Sequence, residues 1–272
     1  QRLRLHYVDY GGEGKPLCVL VHGGQDHCRN WDFVAAALVD HYHVVAPDLR
    51  GHGDSQWAVG SNYGIAEYIL DLAQLLRHLG EQPVTLVGHS LGGLVALSCS
   101  VFFPAWVRAV IAAPLPDPAL ITAPGAPGGV SPRRAPWRRR LQRLVVQLLC
   151  RLLPLELIVP LIAHSPLLGL GLQSAYHRPV LDDRELQRVI ALPARRPSAP
   201  RALRAMSVAM ALRPHGATAP ALLRRLQRPL LLIWGRQDRL VPLAVAEQCL
   251  QVRPDLTLQV FDQAGHCPHD EA

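Results

Sequence analysis

Residues 84–97 read VTLVGHSLGGLVAL, a serine flanked two residues away on each side by glycine. Val84, Leu86 and Val87 form the apolar run of a buried strand, whereas Leu91, Leu94, Val95 and Leu97 recur at helical spacing. A chain that turns from strand to helix over so few residues strains its central residue, and Cβ atoms beside it would collide with adjacent backbone. Gly88 and Gly92 meet that requirement, and G-H-S-L-G lifts the Ser90 hydroxyl into the open above a helix N-terminus. A serine so placed becomes a nucleophile when a positioned base takes its proton and a carboxylate holds that base in the right tautomer. In open parallel sheets such groups lie at the C-terminal ends of strands. Asp238 follows the apolar run 230–234 and a glycine-containing turn, and His266 follows the run 256–261 and a second such turn. Acyl transfer also needs backbone N–H groups aimed at the developing oxyanion, each contributing about 3–4 kcal/mol. Leu91, next after the serine and at the helix start, supplies one. The His22-Gly23-Gly24 turn after the first apolar strand supplies the other, and its glycines let the backbone approach a substrate closely.

The elements that must position these residues alternate along the chain. LCVLVHGG (17–24) and the start of HYHVVAPDLRGHGDS (41–55) are apolar strands ending in turns. Residues 63–80 place Ile65, Ile69, Leu72, Leu75, Leu76 and Leu79 on one face and stop at Gly80, which predicts an amphipathic helix. VRAVIAAP (107–114) is a further strand, and alternation resumes at PLLLIWGRQDRLVP (229–242). Short apolar strands separated by helices predict a mostly parallel central sheet with helices on both faces. Residues 115–228 break this rhythm with loops and helical pieces cut by Pro154, Pro160 and Pro166. The expected organisation is therefore a sheet domain of residues 1–114 and 229–272, interrupted by a helical cap over 115–228.

Composition divides the chain the same way. The 272 residues carry a net charge of +7 and are 49% hydrophobic, enough for a substantial core. Residues 120–228 hold 18 arginines against 4 acidic residues, while the remainder is net negative; Lys15 is the only lysine. The basic part is matched to an anionic surface, which allows peripheral membrane contact through the cap; no nucleic-acid partner is expected. Residues 144–172 are almost wholly apolar, with Arg151 and Glu156 their only charges. Those charges and the prolines argue against a membrane span. The segment is expected to be buried, or to face something lipophilic and roof Ser90. Six cysteines lie scattered without disulfide or zinc spacing, which points to a reducing, cytoplasmic setting, and no stretch reads as a signal peptide. The chain begins at Gln1 and stops soon after His266, so both ends are expected to be trimmed. GGEGKP (11–16) imitates a phosphate loop but lacks the Ser or Thr after Lys15 and precedes its strand, so it is a hairpin turn. Asp48, Arg50 and His52 are expected to brace a tight turn, and His22 and His89 to be structural.

These motifs together carry a resemblance. VHGG (21–24), DLRGHGDS (48–55), GHSLGG (88–93), WGRQDRLVP (234–242) and AGHCPHDEA (264–272) resemble the α/β-hydrolase superfamily, in its cap-bearing lipase- and esterase-like branch. The chain order Ser90, Asp238, His266 is also the order expected there. The resemblance implies an α/β-hydrolase fold with Ser90 as nucleophile, His266 as general base and then acid, and Asp238 as the orienting acid. It places the second oxyanion N–H at Gly24, beside that of Leu91. The implied activity is hydrolysis of lipophilic carboxylic esters with no metal or organic cofactor. Carbon–carbon bond hydrolysis or perhydrolysis by the same triad, and a slow-turnover ligand receptor of the same fold, are the alternatives. Asp117, after the 107–113 strand, is a second candidate for the triad acid. Relatives that open epoxides use an aspartate nucleophile where this chain has Ser90.

Overall fold

A computed structural model describes residues 3–58, 60, 62–80, 83–116, 145, 148, 152, 155–163, 165, 167–194, 199–212 and 218–272. Seven strands form one sheet: β1 (Tyr7–Asp9), β2 (Leu17–Val21), β3 (His43–Pro47), β4 (Val84–His89), β5 (Val107–Ala113), β6 (Leu230–Gly235) and β7 (Thr257–Phe261), in the order β1-β3-β2-β4-β5-β6-β7. Only β1 runs antiparallel, at one edge against β3 (Tyr7 opposite Pro47). All five residues of β2 and of β3 are buried, as expected of strands covered on both faces. Alternation along β2 sorts its side chains between two cores. Leu17, Val19 and Val21 join the large cluster around Leu86, Leu97 and Trp234, while Cys18 and Leu20 join Trp31, Val44 and Ala46 on the opposite face.

Two helices matter most for the site. After α1 (Asp32–Leu38), the periodicity at 63–80 becomes α2 (Ile65–Leu79), ended by Gly80 in the left-handed region at φ 74°. Helix α3 (Leu91–Phe102) follows β4 directly and buries nine of its twelve residues, because β2, β4, β5 and α2 surround it. The turn after β3 is locked to α2 by an ion pair. Arg50 Nε and Nη2 donate to Asp71 Oδ2 and Oδ1 at 2.5 and 2.6 Å, with both side chains almost wholly out of solvent. The three glycines at 11, 12 and 14 all have positive φ, and Lys15 N donates to the Gly12 carbonyl (3.2 Å), so 11–16 is a tight turn as expected. It is not a hairpin, because β3 lies between β1 and β2 in the sheet and the two do not pair.

Strand β6 pairs in parallel directly with β5 (Val110 opposite Leu230), so everything between Ala113 and Leu230 is an excursion between neighbouring strands. Its described helices are α4 (Leu155–Ala163), α5 (Leu167–Gln173), α6 (Arg184–Ala194), α7 (Ala199–Leu212) and α8 (Ala219–Arg225). Helices α4 to α7 pack on one another, whereas α8 packs against α3 and α9 (Ala244–Val252) and buries Leu222 and Leu223 in the large core. Pro160 lies within α4 and does not end it, because losing one backbone hydrogen bond is outweighed by packing against α6 and α7. Pro154 and Pro166 lie outside the described residues. Leu148, Leu152, Leu157, Leu161, Leu167 and Leu170 are all more than half exposed, so much of the apolar stretch faces outward instead of being buried.

Replacing Asp71 with Ala leaves the Arg50 guanidinium buried with the Asn62 carbonyl (2.9 Å) as its one remaining acceptor among the described residues. Breaking such a pair from one side costs about 3–5 kcal/mol. Urea unfolding of Asp71→Ala should show that loss; a change below about 1 kcal/mol, the range of an exposed pair, would mean that solvent reaches the guanidinium.

Candidate active site

Ser90 occupies the single residue between β4 and α3, with φ 50° and ψ −115°. Ser90 and Gln25 are the non-glycine residues with positive φ among the described residues. A Cβ on Gly88 would overlap the Gly92 carbonyl, and one on Gly92 would overlap the carbonyl of Val21, so both glycines are required by close backbone approach. Ser90 N–H donates to the carbonyl of Ala113 at the end of β5 (3.1 Å), which fixes the turn to the neighbouring strand.

The structure brings Ser90, His266 and Asp238 into one hydrogen-bonded line. His266 Nε2 lies 3.1 Å from Ser90 Oγ, and His266 Nδ1 lies 2.9 Å from Asp238 Oδ2. Asp238 follows β6; its Oδ1 accepts from Leu240 and Val241 N–H, both at 2.8 Å, and Trp234 Nε1 ties the same loop through the Val241 carbonyl (2.8 Å). An acceptor at Oδ2 requires Nδ1 of His266 to carry the proton, which leaves Nε2 free to accept from the serine hydroxyl. Asp238 and His266 are both buried. Asp117 lies outside the described residues.

The loop 22–26 faces this line. His22 Nδ1 donates to the Gly23 carbonyl (2.6 Å) and its Nε2 accepts from Leu49 N–H (2.9 Å), so both ring nitrogens serve the loop. A Cβ on Gly23 would come within 2.6 Å of His89 Nδ1, whereas at Gly24 it would meet nothing within 4 Å. Gly24 is thus open, bordered by the strained Gln25. Leu91 is the first residue of α3, where helix geometry leaves its N–H without an intrahelical partner. The turn 48–55 underlies the loop. Asp48 accepts from Cys28 N–H (2.7 Å), Asp54 N–H (2.8 Å) and His6 Nδ1 (2.7 Å), and His52 Nδ1 donates to the Arg50 carbonyl (3.0 Å). His6, Cys28 and Asp48 are also the one described group whose ligand atoms lie close enough to share a metal, within 4.8 Å. Both Asp48 oxygens are already occupied, and burial with the nearby Asp48 charge pushes the Cys28 thiol up, which suits a turn brace better than a metal site.

Several contributors were not legible in the sequence. His89 Nε2 donates to the carbonyl of His266 (3.0 Å), with its ring 5.1 Å from that of His266 and 4.5 Å from that of His269. His89 is structural, as expected, but it supports the His266 backbone directly. His269 also packs on Trp31 (4.6 Å) and lies near Asn30 Nδ2 (3.3 Å), which donates to the fully buried Asp26 (2.8 Å). The only signal for this layer was the clustering of His266, His269 and Asp270 in GHCPHDEA.

Burial fixes the charge states around the site. His22 and His269 are lowered to about 3, chiefly by burial and then by a neighbouring ring, His52 for His22 and His266 for His269. Burial raises Asp26 to about 7 against the opposing hydrogen bonds from His27 and Asn30. The unfolded chain takes up protons at these histidines as pH falls through about 6.5, while the folded chain does not until about 3. Each ring therefore removes up to about 1.4 kcal/mol of stability per pH unit across that window. Asp26 acts oppositely between roughly its unfolded value of 3.8 and about 7, offsetting one ring. Denaturant unfolding at pH 7, 6 and 5 should show stability falling on acidification, and His269→Gln should flatten the slope; an unchanged slope would show that the ring is not held neutral.

Comparison with known proteins places this geometry. Residues 18–272 match the model of the alpha/beta hydrolase family. Human Epoxide hydrolase 4 is 35% identical over 121 residues, 44% of this chain and 33% of that protein. Lipase LipV of Mycobacterium tuberculosis is 39% identical over 116 residues, 43% of this chain and 42% of that protein. The chain thus matches less than half the length of either relative. A thermophilic esterase from Thermogutta terrifontis superposes with a TM-score of 0.73 at 25% identity, covering 99% of this chain and 88% of that one. Sheet order, serine turn and family match agree: the chain belongs to the alpha/beta hydrolase family.

Proposed function

We propose that this hydrolase cleaves carboxylic esters through an acyl-enzyme, with Ser90 as nucleophile, His266 as base and Asp238 as the orienting acid. The carrying observation is the continuous line from Ser90 Oγ through both His266 nitrogens to Asp238. In this reading Nε2 takes the hydroxyl proton as Oγ attacks the ester carbonyl, and Asp238 stabilises the imidazolium that forms. The oxyanion is received by the N–H groups of Leu91 and Gly24. His266 then gives its proton to the leaving alkoxide, and water repeats the sequence to release the acid. Similarity to an epoxide hydrolase does not carry over to this nucleophile. Serine attack on an epoxide would leave an ether, with no carbonyl for water to attack, whereas an aspartate leaves a hydrolysable ester.

The reading extends to a lipophilic substrate met at an anionic lipid surface. Supporting it, Leu157 and Leu161 on α4 and Leu167 and Leu170 on α5 are more than half exposed. The sequence just before them carries seven arginines and no acid over residues 133–151. Exposed apolar side chains close in sequence to clustered arginines are the chemistry of peripheral binding to acidic lipid. No helix among the described residues is long and apolar enough to cross a membrane. Leu152 faces solvent, so it does not roof Ser90; Leu153 and the arginines at 133–143 lie outside the described residues.

Turnover of nitrophenyl esters tests the chemistry. Ser90→Ala should lower kcat by about 10⁴–10⁶, and a variant retaining a tenth of the activity removes the assignment. Asp238→Asn should lower it by roughly 10⁴ through the wrong imidazole tautomer. For the surface, the chain should co-sediment with vesicles of mixed phosphatidylcholine and phosphatidylglycerol but not with pure phosphatidylcholine. The paired changes Leu157→Ser and Leu161→Ser should abolish binding. Equal binding to both vesicles, or none, overturns this part.

A further inference from the structure

The catalytic-histidine loop is fastened to the excursion by its backbone. His266 N–H donates to the carbonyl of Ala175 at 2.6 Å. The preceding Gly265 N–H donates to Glu271 Oε2 (2.6 Å), and Oε1 of the same carboxylate accepts from His177 N–H (2.7 Å) and Arg178 N–H (2.8 Å). One side chain thus collects three backbone donors from two segments far apart in sequence. The segments touch: a Cβ on Gly265 would lie 2.6 Å from the Ala175 carbonyl oxygen. Around this joint, Tyr176, Val180 and Cys267 form a buried cluster separate from both sheet cores. Arg178 also pairs with Asp183 (2.9 Å) and Asp270 (3.4 Å).

We propose that Glu271 is a positioning residue that makes assembly of the Ser90–His266–Asp238 line conditional on seating of the 175–178 turn. The inference rests on the catalytic reading given above. His266 is fixed on its other side by His89 at its carbonyl and by Asp238 at its ring. Among the described residues, its N–H and that of Gly265 have no partners but this turn and Glu271. If the turn lifts, His266 N–H loses the Ala175 carbonyl and Glu271 loses the His177 and Arg178 donors that orient it toward Gly265 N–H, so the peptide carrying the imidazole is free to rotate away from Ser90. Such a joint makes hydrolysis depend on a covered site, because an unseated turn leaves the serine without its base.

The test is steady-state kinetics on a soluble nitrophenyl ester, with labelling of Ser90 by a fluorophosphonate. Displacing a catalytic group by about 1 Å costs on the order of 10²-fold. Glu271→Ala should lower kcat by about that factor with KM little changed, and slow the labelling in proportion. Glu271→Gln keeps one acceptor oxygen and presents N–H groups on the other side, so it should fall between parent and Ala; it also serves if Glu271→Ala does not fold. Tyr176→Ala, which removes the anchor of the turn, should lower kcat through the same joint. Its effect combined with Glu271→Gln should therefore be less than the product of the two. Arg188→Ala, on the exposed face of α6, is the control. Unchanged kcat and labelling in Glu271→Gln, or a rise in KM alone, or multiplicative effects in the double variant, overturn the proposal. Loss of the catalytic reading is distinguishable, because Ser90→Ala would then remain active.

Discussion

The backbone of Ser90 is held where an L-residue does not settle by itself, and the molecule is arranged to hold it there. Conformations of that kind cost about 1–3 kcal/mol and persist only when the surroundings over-determine them. Here β4 is clamped between β2 and β5, the Ser90 N–H is captured by Ala113, and α3 is buried on nearly every side. Gly88 and Gly92 let the chain pass so close to itself and to Val21 that no side chain fits. Strand, turn and helix are therefore one unit, and its stiffness aims the hydroxyl.

A second constraint is electrostatic. In the proposed reaction the base must be free to become a cation, yet five other histidines, 22, 27, 52, 89 and 269, surround the serine turn and its loops. All are lowered, each chiefly by burial. Kept neutral, they add no like charge to oppose an imidazolium at His266, the ring that is hydrogen-bonded to a carboxylate. Two of them hold the backbone of the site: His22 ties the Gly24 loop to the 48–55 turn, and His89 holds the carbonyl of His266. Burial that would be costly for charged rings thus supplies a neutral scaffold around the one ring proposed to react.

The excursion between β5 and β6 has two different faces. Inward, it meets the His266 loop and the loop after β2 through Glu271, the Tyr176 cluster and the His27 contact to the Val189 carbonyl (3.2 Å). Outward, α4 and α5 present leucines to solvent. The same insertion thereby joins a structural duty at the site to a surface of very different chemistry.

By itself the sequence determined the elements whose signals are local. Gly88 and Gly92 around Ser90 announce a tight strand-to-helix turn because their requirement is steric and lies within five residues. The apolar runs of β2, β4, β5 and β6 and the periodicity of α2 are equally local, and so the α/β architecture was legible. Only the tertiary structure decided which distant groups meet. Asp238 and His266 are separated from Ser90 by most of the chain, and parallel pairing of β5 with β6 and of β6 with β7 brings them to it. Nothing in the spacing of Glu271 or His89 marks them as partners of the Gly265–His266 backbone, because every non-proline residue carries the same peptide N–H and carbonyl and a bond to either leaves no residue-type signature. The leucines of 144–172 leave burial and a lipophilic face both open in the sequence for a related reason. Hydrophobicity records a preference for leaving water, while exposure depends on what the fold places alongside.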